Sequence, residues 1–153
     1  MKPTFARFFA YAAAATLATN IVTAQTVNKG CTNATLFGTF AYNVTGSIVA
    51  PPALAGPFAS VGTQTFDGQG GFTAVATVSQ NGMIVPVTIK GTYTVNPDCT
   101  GTFAGLISPV GITSHIFFVL DDDETGFQAL QTDSGVVVAG VARRQFRVGD
   151  WRR

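Results

Sequence analysis

Charge is scarce in this chain. Asp, Glu, Lys and Arg together make up 11 % of its 153 residues, against roughly 25 % in an ordinary soluble domain. There is one histidine, His115, and there are two cysteines, Cys31 and Cys99. No His, Cys, Asp or Glu grouping has the spacing of a metal site, and there is no glycine-rich phosphate loop or hydrolase elbow. No metal and no cofactor are therefore expected, and the commonest enzyme classes drop out. Helical periodicity is also missing between residues 36 and 143, which leaves an all-β class.

What the chain has in quantity is 17 Gly, 7 Pro and 13 Phe, with 46 % hydrophobic residues overall. Glycine and proline punctuate short strands, and that much apolar side chain offsets the entropy of ordering a backbone only when it is buried together. One domain is expected for this length.

The first 24 residues have the layout of a secretory signal peptide. Lys2 and Arg7 form a charged start, the residues from Phe8 to Leu17 form a short apolar segment, and Val22 and Ala24 are the small residues before Gln25. The apolar segment falls short of the ~20 residues of a spanning helix, so no transmembrane segment is expected after cleavage. The location expected is secreted or periplasmic. Losing Lys2 and Arg7 leaves seven basic against eight acidic side chains, a balance that excludes a nucleic-acid partner. In an exported protein Cys31 and Cys99 are most simply a disulfide, worth about 4 kcal/mol on the chain-entropy model.

The stretch Met83–Thr102 organises the rest. Val85, Val87, Ile89, Gly91, Tyr93 and Val95 share one parity and Thr88, Lys90, Thr92 and Thr94 the other, the period of a strand with one buried face. Asn96-Pro97-Asp98 ends it, since proline gives no amide to a ladder. Reading outward in the same way yields a polar lead-in at 25–35 and eight strands over 36–143. They begin at Leu36, Phe58, Phe72, Met83, Gly101, Thr113, Phe127 and Val136, and a basic tail follows at 144–153. Asn81-Gly82 is the strongest hairpin signal. Hairpin-length connections favour antiparallel neighbours, and eight of them close into an up-and-down barrel; a two-sheet sandwich is the alternative. Strand direction puts Cys31 and the turn bearing Cys99 at the same end, the bottom. The apolar, proline-bearing stretch 46–57 falls at the top, where a mouth or lid would sit.

The run Phe66-Asp67-Gly68-x-Gly70-x-Phe72, then Ser79-x-Asn81-Gly82, then Gly91-Thr92-Tyr93-x-Val95-x-x-Asp98-Cys99-Thr100-Gly101-Thr102 resembles small exported bacterial β-proteins of unknown function. More distantly, the architecture is similar to the allene oxide cyclase and dirigent barrels among the lipocalin-like eight-stranded folds. The resemblance implies a barrel with an apolar cavity. Its motifs are turn chemistry, and no catalytic signature of those enzymes carries over residue by residue.

Candidate ligand-binding residues on the inner wall are Tyr42, Gln64, Phe66, Tyr93, Phe103, His115 and Phe117. His115 is also the one candidate acid or base, set against the plainer reading of a strand histidine bonded to a neighbour. Inward parity on strands six to eight is ambiguous because both faces are apolar there. Asp121-Asp122-Asp123-Glu124 reads as a solvated acidic turn, since consecutive carboxylates rarely converge on one ion. Arg143, Arg144, Arg147, Arg152 and Arg153 could dock on that turn or on another anionic surface. Asn33 and Asn43 head N-x-T triplets that accept glycans in a eukaryotic host. Three functions fit, in this order: an exported protein binding a small lipophilic molecule, a filled structural barrel without ligand, and a cofactor-free cyclase or isomerase.

Overall fold

The computed structural model describes residues 30–145. The signal segment expected at 1–24 and the tail at 146–153, with Phe146, Arg147 and Trp151, lie outside the described residues. Eight strands follow one another: β1 (Gly38–Ile48), β2 (Gly56–Phe66), β3 (Gly71–Gln80), β4 (Met83–Val95), β5 (Thr100–Ser108), β6 (Ile112–Leu120), β7 (Gly126–Gln131) and β8 (Val136–Arg144). Each pairs antiparallel with its neighbour in chain order, and β8 pairs with β1 to close the barrel. The sandwich alternative is thereby set aside.

Turn chemistry sets the register. Asn81 and Gly82 both take positive φ, 49° and 86°, the hairpin geometry that suits the twist of flanking strands. At the opposite end, one carboxylate oxygen of Asp67 accepts the amides of Gln69, Gly70 and Gly71 and so shapes the β2–β3 turn. Glycines in the strands face the large rings. A Cβ on Gly101 would lie 2.3 Å from the ring of Phe118, and one on Gly91 would lie 2.7 Å from that of Phe72. Aromatics inside a small barrel therefore rest on bare backbone.

The lower half of the interior is a solid aromatic floor. Phe40, Phe66, Phe72, Tyr93, Phe118 and Phe127 are all buried. Their rings meet at tilted or edge-on angles, with Phe66–Tyr93 centroids 5.0 Å apart and Phe118–Phe127 5.3 Å apart, the preferred arrangement for ring quadrupoles. Most outward positions of β1 to β4 carry Thr, Ser, Asn or Lys. On β5 to β8 the outward positions include exposed Leu106, Phe117, Val119, Leu130 and Val137. No helix among the described residues is long and apolar enough to cross a membrane.

The expected boundaries shift at both ends of the barrel. Strand one starts at Gly38 rather than Leu36, because Asn33–Leu36 forms a 3-10 turn that caps the bottom. Leu36 is fully buried. The cap is tied down by a Cys31–Cys99 disulfide with Cα atoms 5.0 Å apart, by Val95 N donating to Asn33 Oδ1 at 2.8 Å, and by the Tyr93 hydroxyl donating to the Asn33 carbonyl at 2.9 Å. Arg144 belongs to β8 and not to a tail. Its guanidinium lies over Phe40 and donates to the carbonyls of Phe37, Thr35 and Glu124. At the top, β1 and β2 run further than expected and reduce the 46–57 loop to residues 49–55, with a short 3-10 turn at Pro52–Leu54.

Candidate ligand cavity

Above the aromatic floor the interior is not filled. A cavity of about 100 Å³ lies there, with Phe72, Phe103 and Phe127 forming its base and Val44, Phe58, Val78, Ile107 and Val138 its upper wall. Small residues make the space. Ala129 and Gly105 line it, and a Cβ on Gly105 would lie 2.6 Å from Ile89 Cγ2.

The walls differ in chemistry. On β1 and β2, Tyr42, Ser60 and Gln64 place three polar groups along one strip, whereas Ile89, Phe103 and Ile107 on β4 and β5 face it with hydrocarbon; Ser114 on β6 and Gln131 on β7 are the other polar lining residues. Burial pushes the Tyr42 phenol up, and a hydrogen bond with Ser60 works the other way. Gln64 sits immediately above the floor, paired across the sheet with Phe40 and Ala74. It is only 5 % exposed. Its amide has no hydrogen-bond partner among the described residues. Among the described residues every fully enclosed side-chain nitrogen or oxygen does have one, so the unpartnered Gln64 amide borders the open space of the cavity.

No family model, no curated protein and no solved structure matches this chain. The site therefore has to be read from its own geometry.

Of the expected inner-wall residues, Tyr42, Gln64 and Phe103 come together around the cavity. Phe66 and Tyr93 point inward but lie in the packed floor, with the Tyr93 hydroxyl committed to the cap. His115 and Phe117 are corrections, because both sit on the outer face of β6. Phe117 is 39 % exposed; the residues of β6 that turn inward are Ser114, Ile116, Phe118 and Leu120. The parity follows from the pairing of Phe118 with Gly101 and of Ile116 with Phe103. His115 is consequently no acid or base within the cavity. Its ring bonds through Nδ1 to Asp133 Oδ1 at 2.6 Å, and its amide donates to Asp133 Oδ2 at 2.9 Å.

That contact closes a seam. β6 pairs with β7 only from Ile116 to Leu120, and β7 ends at Gln131 below the top of its neighbours. Asp133 fills the gap, accepting also from Gln131 Nε2 at 2.8 Å, and Thr132 N donates to the His115 carbonyl. Burial raises the Asp133 carboxyl, but the hydrogen bonds from the His115 amide, the His115 ring and Gln131 outweigh it and hold the group low. Gln131 thus lines the cavity while being held by the outer clasp.

Ser60, Ser114 and Gln131 are lining residues that the sequence reading missed. The available signal was glycine: a strand glycine opposite an aromatic, as Gly101 is opposite Phe118, marks the inward face. The acidic turn at the bottom is used internally. Arg143 pairs with Asp121, and Asp123 accepts the amide and hydroxyl of Thr125. No group of three or more His, Cys, Asp or Glu stands close enough to hold a metal among the described residues.

Proposed function

We propose that this is an exported binding protein that holds a small, mostly apolar molecule in the upper half of its barrel. The observation that carries the reading is the mostly hydrocarbon-walled cavity above a closed aromatic floor, with a few polar groups in its lining, the usual make-up of a small-molecule site. Its volume sets the ligand's size. An engineered apolar cavity of about 150 Å³ takes up benzene, so about 100 Å³ suits a single ring or a short chain, or one end of a longer molecule. Export is supported by the signal-like segment and by the disulfide, a bond that persists in oxidising compartments.

The test is native mass spectrometry of the protein secreted by its own host, with extraction of whatever co-purifies. A bound apolar molecule near one-to-one is expected, and Ala129→Leu, which places a branched side chain into the cavity, should lose it while keeping the fold. A clean protein mass that also fails to take up added benzene or phenol would sink the reading.

The second reading is a filled structural barrel. It rests on the six aromatic side chains of the floor, which already occupy the lower half of the interior. The clean-mass outcome would favour it.

A further inference from the structure

We propose that the cavity selects uncharged ligands carrying one hydrogen-bonding head group, which seats on the Gln64 amide against the floor while the hydrocarbon body lies along β4 and β5. The inference rests on the binding reading above and adds the chemical class of the ligand.

Three observations carry it. Gln64 is a polar side chain more than nine-tenths buried, with no hydrogen-bond partner among the described residues and its amide on the cavity. A ligand that displaces solvent must give that amide a partner or leave it unpaired, so a head group is selected and not merely tolerated. An amide both donates and accepts, which suits a hydroxyl, a carbonyl or a neutral amide.

The second observation is that, among the described residues, none of the lining side chains is charged. A carboxylate or ammonium brought to Gln64 would lose its hydration with no counter-ion to replace it. The charges bonded nearest to the walls do not help. Arg144 lies beneath Phe40 and spends its donors on the carbonyls of Thr35, Phe37 and Glu124. Asp133, which holds Gln131 at the seam, is itself an anion.

The third is the asymmetry of the walls. Tyr42 and Ser60 continue the polar strip above Gln64 and are bonded to each other, so Gln64 is the member of the strip left open. Opposite the strip, Ile89, Phe103 and Ile107 on β4 and β5 are hydrocarbon and keep the body dry, while Ser114 and Gln131 add polar groups on β6 and β7, with Gln131 Nε2 already held by Asp133.

Benzene, phenol and benzoate share a ring and differ in the head group, and their affinities for the disulfide-bonded protein can be compared by NMR titration at neutral pH. Phenol is expected to bind about tenfold more tightly than benzene, the scale of one hydrogen bond to a buried amide. Benzoate should show no saturable binding until the pH is lowered enough to protonate it. Gln64→Leu should bring phenol down to the level of benzene without weakening benzene. The inference is overturned if benzoate matches phenol at neutral pH, or if phenol and benzene bind equally to the wild type. Neither comparison requires the variant to fold. Binding of benzene without head-group preference would overturn this inference and leave the carrier reading standing; binding of none of the three would overturn both.

Discussion

The guanidinium of Arg144 lies 4.6 Å from the centroid of the Phe40 ring, at the point where the last described strand meets the first. Phe40 is fully buried and its ring packs on Phe66 and Phe127, so the cation seals the underside of the aromatic floor. Its N–H groups also satisfy three carbonyls from the cap and the β6–β7 turn. Arg144→Ala should therefore cost about 2 kcal/mol or more in urea unfolding, from the lost cation–π contact and the unpaired carbonyls. Arg144→Lys should recover only part, because an ammonium cannot reproduce the planar fork. Equal stability of all three proteins would show that the seal is incidental.

Cys31–Cys99 joins the cap to the β4–β5 turn across 68 residues of sequence. Replacing both with serine should lower stability by about 2–5 kcal/mol. Because the cap carries Leu36 and holds the Tyr93 hydroxyl, loss of Tyr93 near-ultraviolet dichroism should accompany the change. An unaltered denaturation midpoint under reducing conditions would contradict this.

Acid should unfold the protein through its turns. Asp67 is held low by the amides of Gln69 and Gly71, and Asp98 and Asp123 by the hydroxyls and amides of Thr100 and Thr125. A carboxyl depressed in the folded state contributes its stability fully above the unfolded value of about 3.9, and loses it as pH falls through the lower folded value. Urea midpoints should thus be insensitive to these groups between neutrality and about pH 5, and fall below about pH 4. Asp67→Asn should make that acid decline shallower. A slope unchanged by the substitution would remove Asp67 from the account.

The Asp133 clasp has a local signature. Asp133→Ala removes the acceptor for the His115 amide and for Gln131, at a global cost of about 1 kcal/mol. Hydrogen exchange should accelerate at His115 and Thr132 well beyond the change at Phe118, which lies within the continuous β6–β7 ladder. Uniform acceleration across the barrel would mean that the seam is no weaker than the rest.

Much of this fold is local and could be read directly. Alternation in β3 and β4, the Asn81-Gly82 hairpin and the turn at Asn96-Pro97-Asp98 each follow from steric rules acting over a few residues, and their order implies antiparallel closure. The shared end of Cys31 and Cys99 follows from counting strands. Tyr42, Gln64 and Phe103 read as inner-wall residues, and the structure places all three on the cavity. On β6, Ile116, Phe117, Phe118 and Val119 are apolar on both faces, so periodicity carried no sign. There the choice fell to tertiary packing: Phe118 turns inward because Gly101 leaves room beneath it, and His115 and Phe117 are turned outward with the opposite parity. Packing likewise made a cap of what reads as a polar lead-in, and a floor clamp of an arginine that reads as tail. Long-range partners decide such residues, because a side chain's burial depends on what faces it across the barrel and not on its neighbours in the chain.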